Sequence, residues 1–490
     1  MWSRRDQIQA YQFVRRRTVS AVLVGDANHA VSPTRRPTVA LITGIVVLVL
    51  VVVGFALYGV LRPGGSTAWR TDGAIVQERE SGARFVLSDD GALHPVPNYA
   101  SARLLVGDAG RLVRVSRTSL AGVGRGPALG IPGAPDALPP AARLLSDPWT
   151  VCSSRAVDAG PGEPAVLGIV VGPPSDTRRV VLGPGAAVVA ETGPEVYVIT
   201  DGRRFRVRSD EPDAVLLGLG LGQAPRVVVD RAWLATVPAG PDLGYLEITR
   251  RGEASPALPG VAARVGQVFA LRTAGSTGEQ FFVLLVDGLA PIATTQARLI
   301  LADPRTVGVY PEGRVAALDL PPAALAAGQP SATDLDPDQY PATAPEALTF
   351  TPGEDVVLCS RSQGFRAGLP AVELTLSFAV PAPSGVRPLT TAVPGGSSAE
   401  VYVPVGSGAL VRSVSAEGVT AGAVHLVTDE GRRYAVPDAE SRAALGLEGV
   451  TPTEMPPQFV ELLPAGPTLD RAAAGRALTE AGSTGAAGSG

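Results

Sequence analysis

The chain is 490 residues long, 45% apolar and 18% charged, with a formal net charge of −4, which is enough length for two or more cores and excludes a small stapled module. Its 57 Gly and 45 Pro make about a fifth of the residues, below the level that marks low-complexity chains and without the period of collagen. All 42 basic residues are Arg. Residues 1–38 carry a local charge of +5 and everything beyond sums to −9. An acidic body with few aromatic residues would repel phosphates and stack few bases, so no nucleic-acid partner is expected.

Ser3–Val24 has no Gly or Pro, and its Ile8, Tyr11 and Val22 can share a helical face opposite many Arg. A basic amphipathic helix of this kind either lies against anionic lipid headgroups or docks on a cytosolic partner, and composition leaves the two open. The residues offered for that contact are Arg4, Arg5, Asp6, Gln7, Tyr11, Arg15, Arg16 and Arg17. Val39–Leu61 follows, 23 consecutive residues without a charge, long enough to cross a ~30 Å hydrocarbon core. It exceeds the apolar core of a secretory signal peptide, and no A-x-A-like cleavage site follows it. Arg15, Arg16, Arg17, Arg35 and Arg36 precede the span, whereas Arg62 and Arg70 with Asp72, Glu78 and Glu80 follow it, so the positive-inside rule keeps the N-terminus in the cytoplasm and exports the rest. Arg62–Thr71 reads as a linker.

One pattern then recurs four times: an alternating strand, an acidic-Gly turn, a second short strand and a short helix. The copies begin at Phe85, Tyr197, Phe282 and His425. Their turns, Asp90-Gly91, Asp201-Gly202, Asp287-Gly288 and Glu430-Gly431 (with Asp429 before it), supply the positive φ a tight hairpin needs. Asn98, Thr294 and Asp438 are expected helix N-caps, with Pro212 in a first turn. Arg231–Leu243 and Pro457–Asp470 agree again and suggest a closing helix ended by Pro-Ala-Gly-Pro. Arg178–Glu191, Val265–Thr273 and Ala399–Val414 read as further hairpins with Gly-rich turns. Gln329–Pro345 reads as a loop and Ala472–Gly490 as a disordered tail.

The two cysteines, Cys152 and Cys359, both lie in the exported part. An oxidising compartment favours one disulfide between them over two separate buried thiols. The order repeat, Cys152, repeat, then repeat, Cys359, repeat suggests a duplication whose halves are related by a pseudo-twofold, with a disulfide joining half to half. The three scattered His (His29, His94 and His425) offer no metal-ligand spacing. A chain without Lys cannot form a normal Walker A loop, and Gly218, Gly220 and Gly222 fail as a dinucleotide loop because Gln223 stands where the next Gly should be. Asp201, Asp287 and Asp429 each have a structural reason to be in a turn. No catalytic, cofactor-binding or metal residue is assigned.

The opening RRDQIQAYQFVRRRTVSAVLVGD, the single span at this distance, VYVITDGRRFRV, LVTDEGRRYAVP and the two lone cysteines closely resemble the EccB family, a membrane core component of the type VII (ESX) secretion systems of actinobacteria. The resemblance runs from Arg4 to about Leu469. It implies a single-pass inner-membrane anchor plus a large β-rich (α+β) periplasmic domain, with four β-hairpin/short-helix repeats around a central disulfide-linked β-domain. The corresponding boundaries are 1–38 for the cytoplasmic helix, 39–61 for the transmembrane helix, 62–72 for the linker, 73–140 for repeat 1 and 141–177 for the first part of the central domain. Repeat 2 follows at 178–255, repeat 3 at 256–330, the second part of the central domain at 331–398, repeat 4 at 399–470 and the tail at 471–490. The partners implied are EccC-, EccD- and EccE-like subunits, a mycosin protease, further copies of the chain and membrane lipid. No cofactor is implied, and ATP enters only through an ATPase label that some family members carry. A membrane-anchored cell-envelope enzyme, or a peptidoglycan-binding module, is the competing expectation.

Overall fold

The computed structural model describes residues 3–28, 35–61, 67, 69–71, 73–107, 110–155, 165–208, 210–272, 278–310, 313–350, 356–393 and 398–478. They fall into two units, residues 1–69 with 115–122, and residues 70–114 with 123–490.

In the first unit, α1 (Arg4–Val24) begins at Ser3, whose backbone N–H donates to Asp6 Oδ2 at 3.0 Å, and it ends at Gly25 with φ 76°. Such a reciprocal cap satisfies amide groups that the first turn leaves open. The helix α2 (Arg35–Leu61) contains a 23-residue stretch, Arg36–Tyr58, of mean hydropathy 3.0, about 35 Å long at 1.5 Å per residue. Most of the expected linker lies outside the described residues.

The second unit holds four sheets of one plan and a larger central sheet. β1 (Ala74–Glu78), β2 (Arg84–Leu87), β3 (Leu93–Val96), α3 (Tyr99–Val106) and β4 (Arg111–Val115) make the first, in spatial order β3-β2-β1-β4. The chain then enters the central sheet with β5 (Thr150–Ser154), β6 (Val166–Val170) and β7 (Arg179–Val181). β8 (Ala186–Thr192), β9 (Glu195–Thr200), β10 (Arg203–Arg206), α4 (Pro212–Gly218) and β11 (Arg226–Val228) form the second sheet, in order β10-β9-β8-β11. α5 (Arg231–Thr236) and a short pair, β12 (Ala254–Ser255) with β13 (Ala263–Arg264), lead to the third. Its elements are β14 (Val268–Arg272), β15 (Glu279–Leu284), β16 (Leu289–Ile292), α6 (Thr294–Ala302) and β17 (Leu318–Asp319), ordered β16-β15-β14-β17. After α7 (Pro322–Ala327) and β18 (Glu346–Ala347), which pairs parallel to β8, the chain returns to the central sheet. There it adds β19 (Val357–Arg366), β20 (Leu369–Ser377), β21 (Leu389–Ala392) and β22 (Ser398–Tyr402). The fourth sheet, β25-β24-β23-β26, comprises β23 (Ala409–Ser413), β24 (Ala423–Val427), β25 (Arg433–Ala435), α8 (Ala439–Ala444) and β26 (Thr453–Met455); α9 (Pro457–Val460) and α10 (Arg471–Ala474) follow. In the second, third and fourth sheets the last strand runs parallel to the first, which the intervening helix makes possible because a parallel return needs a crossover.

The central sheet has seven strands, β21-β22-β6-β5-β19-β20-β7. Its core contains Trp149, Val151, Leu167, Ile169, Leu374, Leu376 and Val401, joined by Trp233 from α5 and Phe459 from α9. The two closing helices therefore each drive one aromatic side chain into the same core, and Trp233 Nε1–H donates to the Val151 carbonyl at 3.0 Å.

Three expectations are corrected. Arg178–Glu191 and Ala399–Val414 are not hairpins: β7 pairs with β20 and β22 with β6 in the central sheet, whereas β8 and β23 belong to the repeat sheets. Val265–Thr273 likewise belongs to no hairpin of its own, since β14 pairs with β15. A Gly-rich interruption between apolar strands turns the chain, but strand alternation does not say which sheet the next strand joins. The second and fourth repeat sheets thus begin at Ala186 and Ala409 rather than at 178 and 399. Past Asp470 the chain stays packed through α10, with Ala474 fully buried and Leu478 N–H bonded to the Ala128 carbonyl at 2.8 Å; residues 479–490 lie outside the described residues.

Candidate functional site

Cys152 and Cys359 stand directly opposite one another on β5 and β19, with a Cα separation of 4.0 Å, and form a disulfide. β5 is the middle strand of the seven, so the crosslink joins the two sequence halves at the centre of the sheet. Both residues are buried beside Val357.

The turn carboxylates serve their own repeats. Asp201 (φ 51°) and Gly202 (φ 71°) form a two-residue hairpin loop between paired Thr200 and Arg203, the double positive φ of a type I′ turn. Asp201 Oδ1 accepts the Gly185 N–H at 2.9 Å, and Asp429 Oδ2 accepts the Gly406 N–H at 2.7 Å. Each thus holds the loop that enters the first strand of its sheet. Asp287 accepts from Ser331 Oγ and the Ala332 N–H, which lower its pKa, the Ser331 bond most. Gly288 has φ 150°, and a Cβ there would lie 2.4 Å from the Gln329 carbonyl oxygen; Gly431 has φ 67°. Among the described residues there is no group of three or more His, Cys, Asp or Glu that could hold a metal ion. Asn98 and Asp438 cap α3 and α8 as expected. Thr294 does not cap α6: it is the first helical residue, and the Ala293 N–H is satisfied instead by Gln296 Oε1 at 2.8 Å.

Two devices escaped the sequence reading. In every repeat the first residue of the third strand, or the one after it, forms a parallel bridge to a downstream segment: Leu93 to Arg125, Arg204 to Ala239, Leu289 to Pro330 and Arg433 to Ala465. In three repeats a ring follows the bridging residue and a glycine faces it. A Cβ on Gly126, Gly240 or Gly466 would lie 2.2, 2.3 or 2.2 Å from a ring carbon of His94, Phe205 or Tyr434. In the third repeat Ser331 takes the glycine's place and Ala290 the ring's, so the pair changes together. This is what Pro-Ala-Gly-Pro is for.

The second device pairs the helices. α3 packs on α8, and α4 on α6. Arg103 Nε donates to the Ala444 carbonyl at 2.9 Å and Arg298 Nη1 to the Leu219 carbonyl at 3.1 Å, in each case at a helix end where carbonyls lack partners. Gly446 (φ 80°) and Gly220 (φ 82°) follow those ends. A Cβ on Gly218 would lie 2.5 Å from Ala302 Cβ, so the glycine run that resembles a nucleotide loop is a helix-packing surface.

On α1, Arg4, Arg5, Gln7, Tyr11, Arg15, Arg16 and Arg17 are exposed. The helix is not cleanly two-sided: at about 100° per residue, Arg15 falls within ~20° of Ile8, and exposed Phe13 lies ~140° away from it. The Arg17 guanidinium lies 5.6 Å from the Phe13 ring centre. Asp6 is engaged as a cap, and the Ser3 hydroxyl holds its pKa below the ordinary value. In the fourth sheet, buried His425 has Nε2 3.4 Å from Arg433 Nη1. Burial lowers its pKa, with the Arg433 charge adding to the effect and Glu461 opposing it.

Residues 1–480 match the family described as "Type VII secretion system ESX-1, transport TM domain B". The chain is 30% identical over 492 residues to the Mycobacterium tuberculosis protein named ESX-3 secretion system ATPase EccB3, covering 96% of this chain and 88% of that one. It is 32% identical over 490 residues to ESX-5 secretion system ATPase EccB5 of the same organism, covering 96% and 92%. Among solved structures, a chain of the intact ESX-5 inner membrane complex superposes with a TM-score of 0.64 at 28% identity, covering 98% of this chain and 96% of that chain. The EccB3 dimer from the ESX-3 core complex gives 0.64 at 26% identity, covering 82% and 100%. With the apolar helix α2, the β-rich body and the buried crosslink all within the matched span, this chain belongs to the EccB family of type VII secretion membrane components.

Proposed function

We propose that this chain is a structural core subunit of an ESX-type secretion complex in the inner membrane, its β-rich domain lying on the periplasmic side and associating with further copies. The observation that carries the reading is the superposition, over 98% of the chain, on a chain of an intact ESX-5 inner membrane complex. α2 anchors the subunit, the Arg bias around it sets the N-terminus in the cytoplasm, and α1 meets partner subunits or lipid there. EccC-, EccD- and EccE-like subunits and a mycosin protease are the partners, and the motor subunit supplies the energy. Four sheets of one strand order, and the paired Arg103 and Arg298 contacts, support a duplicated half whose copies are joined by the disulfide. The rigidity this gives suits a scaffold.

Mild-detergent extraction of the tagged native protein, followed by sizing and mass spectrometry, tests the reading. A particle far larger than the 50.1 kDa chain, containing EccC-, EccD- and EccE-like subunits, is expected. A stable monomer, under conditions that preserve other membrane complexes, would overturn it.

A further inference from the structure

A cleft of about 490 Å³ opens where three parts of the second unit meet. One wall is the hairpin turn Asp201–Arg203, the second is the end of α5 with Pro238 and Ala239, and the third is the tip of the β19–β20 hairpin. Most of the lining is apolar, with Pro238, Pro370 and Val372 half-buried and Leu369 53% exposed, and Thr236 and Gln458 of α9 add polar groups. Two arginines, Arg203 and Arg366, are among the residues that line the cleft. Arg203 donates only to the neutral amide and carbonyl of Gln339, and no carboxylate pairs with Arg366 among the described residues. Asp201, the one carboxylate in the wall, is held by the Gly185 N–H. Half-buried Arg84 and exposed Arg272 of the same unit, by contrast, pair with Asp136 and Glu279. The cleft therefore combines apolar area that a side chain can bury with two arginines that the one carboxylate in its walls, Asp201, does not pair with.

We propose that this cleft receives an extended acidic peptide segment of a partner protein, an apolar side chain entering beside Leu369 and Pro238 and a carboxylate meeting Arg203 and Arg366. Arginine suits that role because its planar fork binds carboxylates through two parallel hydrogen bonds. The hairpin tip is built to stay in place: Ala367 (φ 51°) and Gly368 (φ 77°) close it in a two-residue turn between paired Arg366 and Leu369. The proposal rests on the reading of the chain as an assembly subunit and adds one of its contact points.

The test is a photo-crosslinking side chain at Leu369 in the full-length protein, activated in native membranes, with the crosslinked peptide sequenced. The expected product is a segment of another protein with Asp or Glu within a few residues of the crosslink, lost in the Arg203→Glu, Arg366→Glu double variant. A synthetic peptide of that sequence should bind the purified chain about tenfold more weakly when its acidic residues are changed to Asn or Gln. Crosslinks only to lipid, only to a second copy of this chain, or to a segment whose binding ignores those changes would each overturn the proposal, as would no crosslink. Recovery of the multisubunit complex in the same membranes separates failure of the cleft from failure of the assembly reading.

Discussion

A glycine that faces an aromatic ring is a position where one methyl group decides stability. Gly240 and Gly466 sit against Phe205 and Tyr434, where a Cβ would come within 2.3 Å of a ring carbon. Both rings are buried and cannot move without opening their sheets. Gly240→Ala and Gly466→Ala should each destabilise the protein by about 1–3 kcal/mol, as overpacking does in close-packed cores. Ser331→Ala, at the matching place in the third repeat, adds no overlap and loses only the hydroxyl's bonds to Asp287 and the Thr333 N–H, so it should cost no more than about 1 kcal/mol. Urea unfolding followed by tryptophan fluorescence distinguishes them; a neutral Gly466→Ala would show that the ring slides freely. His425 gives a second residue-level expectation. Its folded pKa lies below the ordinary value of 6.5 because of burial and the Arg433 charge, so the folded state binds fewer protons than the unfolded state as pH falls through that range. Its contribution is then present at neutral pH and lost as pH falls below about 6.5. The thermal midpoint should drop more steeply across that range in the native chain than in His425→Gln, and parallel pH profiles would remove His425 as the cause.

At the scale of elements, stability depends on how the short helices pair. α3 and α6 occupy the same place in the first and third repeats, and each sends one arginine to the terminal carbonyls of a helix in another repeat. Arg103→Ala and Arg298→Ala should each cost about 1–2 kcal/mol. Because the two arginines serve different helix pairs and share no partner, the double variant should show the sum of the single effects within ~0.5 kcal/mol. A strongly non-additive double variant in the same unfolding assay would mean that the two pairs unfold through each other. These contacts also mark the limit of what the sequence discloses. The turns were legible because Asp-Gly imposes a backbone sign locally, and the caps at Asn98 and Asp438 because a side chain reaches its own first turn. Thr294 misled because Ala293, with no capping oxygen of its own, is served by Gln296. The destinations of β7 and β22 were not legible: a strand alternates in the same way whether it joins the central sheet or a repeat sheet. Neither were the glycine–ring pairs, whose partners are some thirty or more residues apart in the chain.

The whole molecule is organised by where its two halves meet. Cys152 and Cys359 are 207 residues apart, and closing a loop of that length removes unfolded-state entropy worth roughly 5 kcal/mol in the chain-entropy account. The strands around them are also hydrogen-bonded, so Cys359→Ser should keep the sheet while lowering the thermal midpoint by several degrees; an unchanged midpoint would mean that the crosslink does not constrain the unfolded chain. The same half-to-half body needs one topology in the membrane. With Arg35 and Arg36 at the start of α2 and Asp72, Glu78 and Glu80 beyond its end, the positive-inside bias favours a cytoplasmic α1 and an exported body, the side on which an oxidising environment would form this disulfide. Charge and cysteine chemistry are independent arguments, and both favour the proposed orientation. In spheroplasts, an impermeant maleimide should label a Val405→Cys variant, whose site is 80% exposed on the folded body, and should reach Gln9→Cys only after lysis. The reverse pattern would place the disulfide in a reducing compartment and overturn both arguments together, because α2 is the one candidate span among the described residues and no second crossing there could reconcile them.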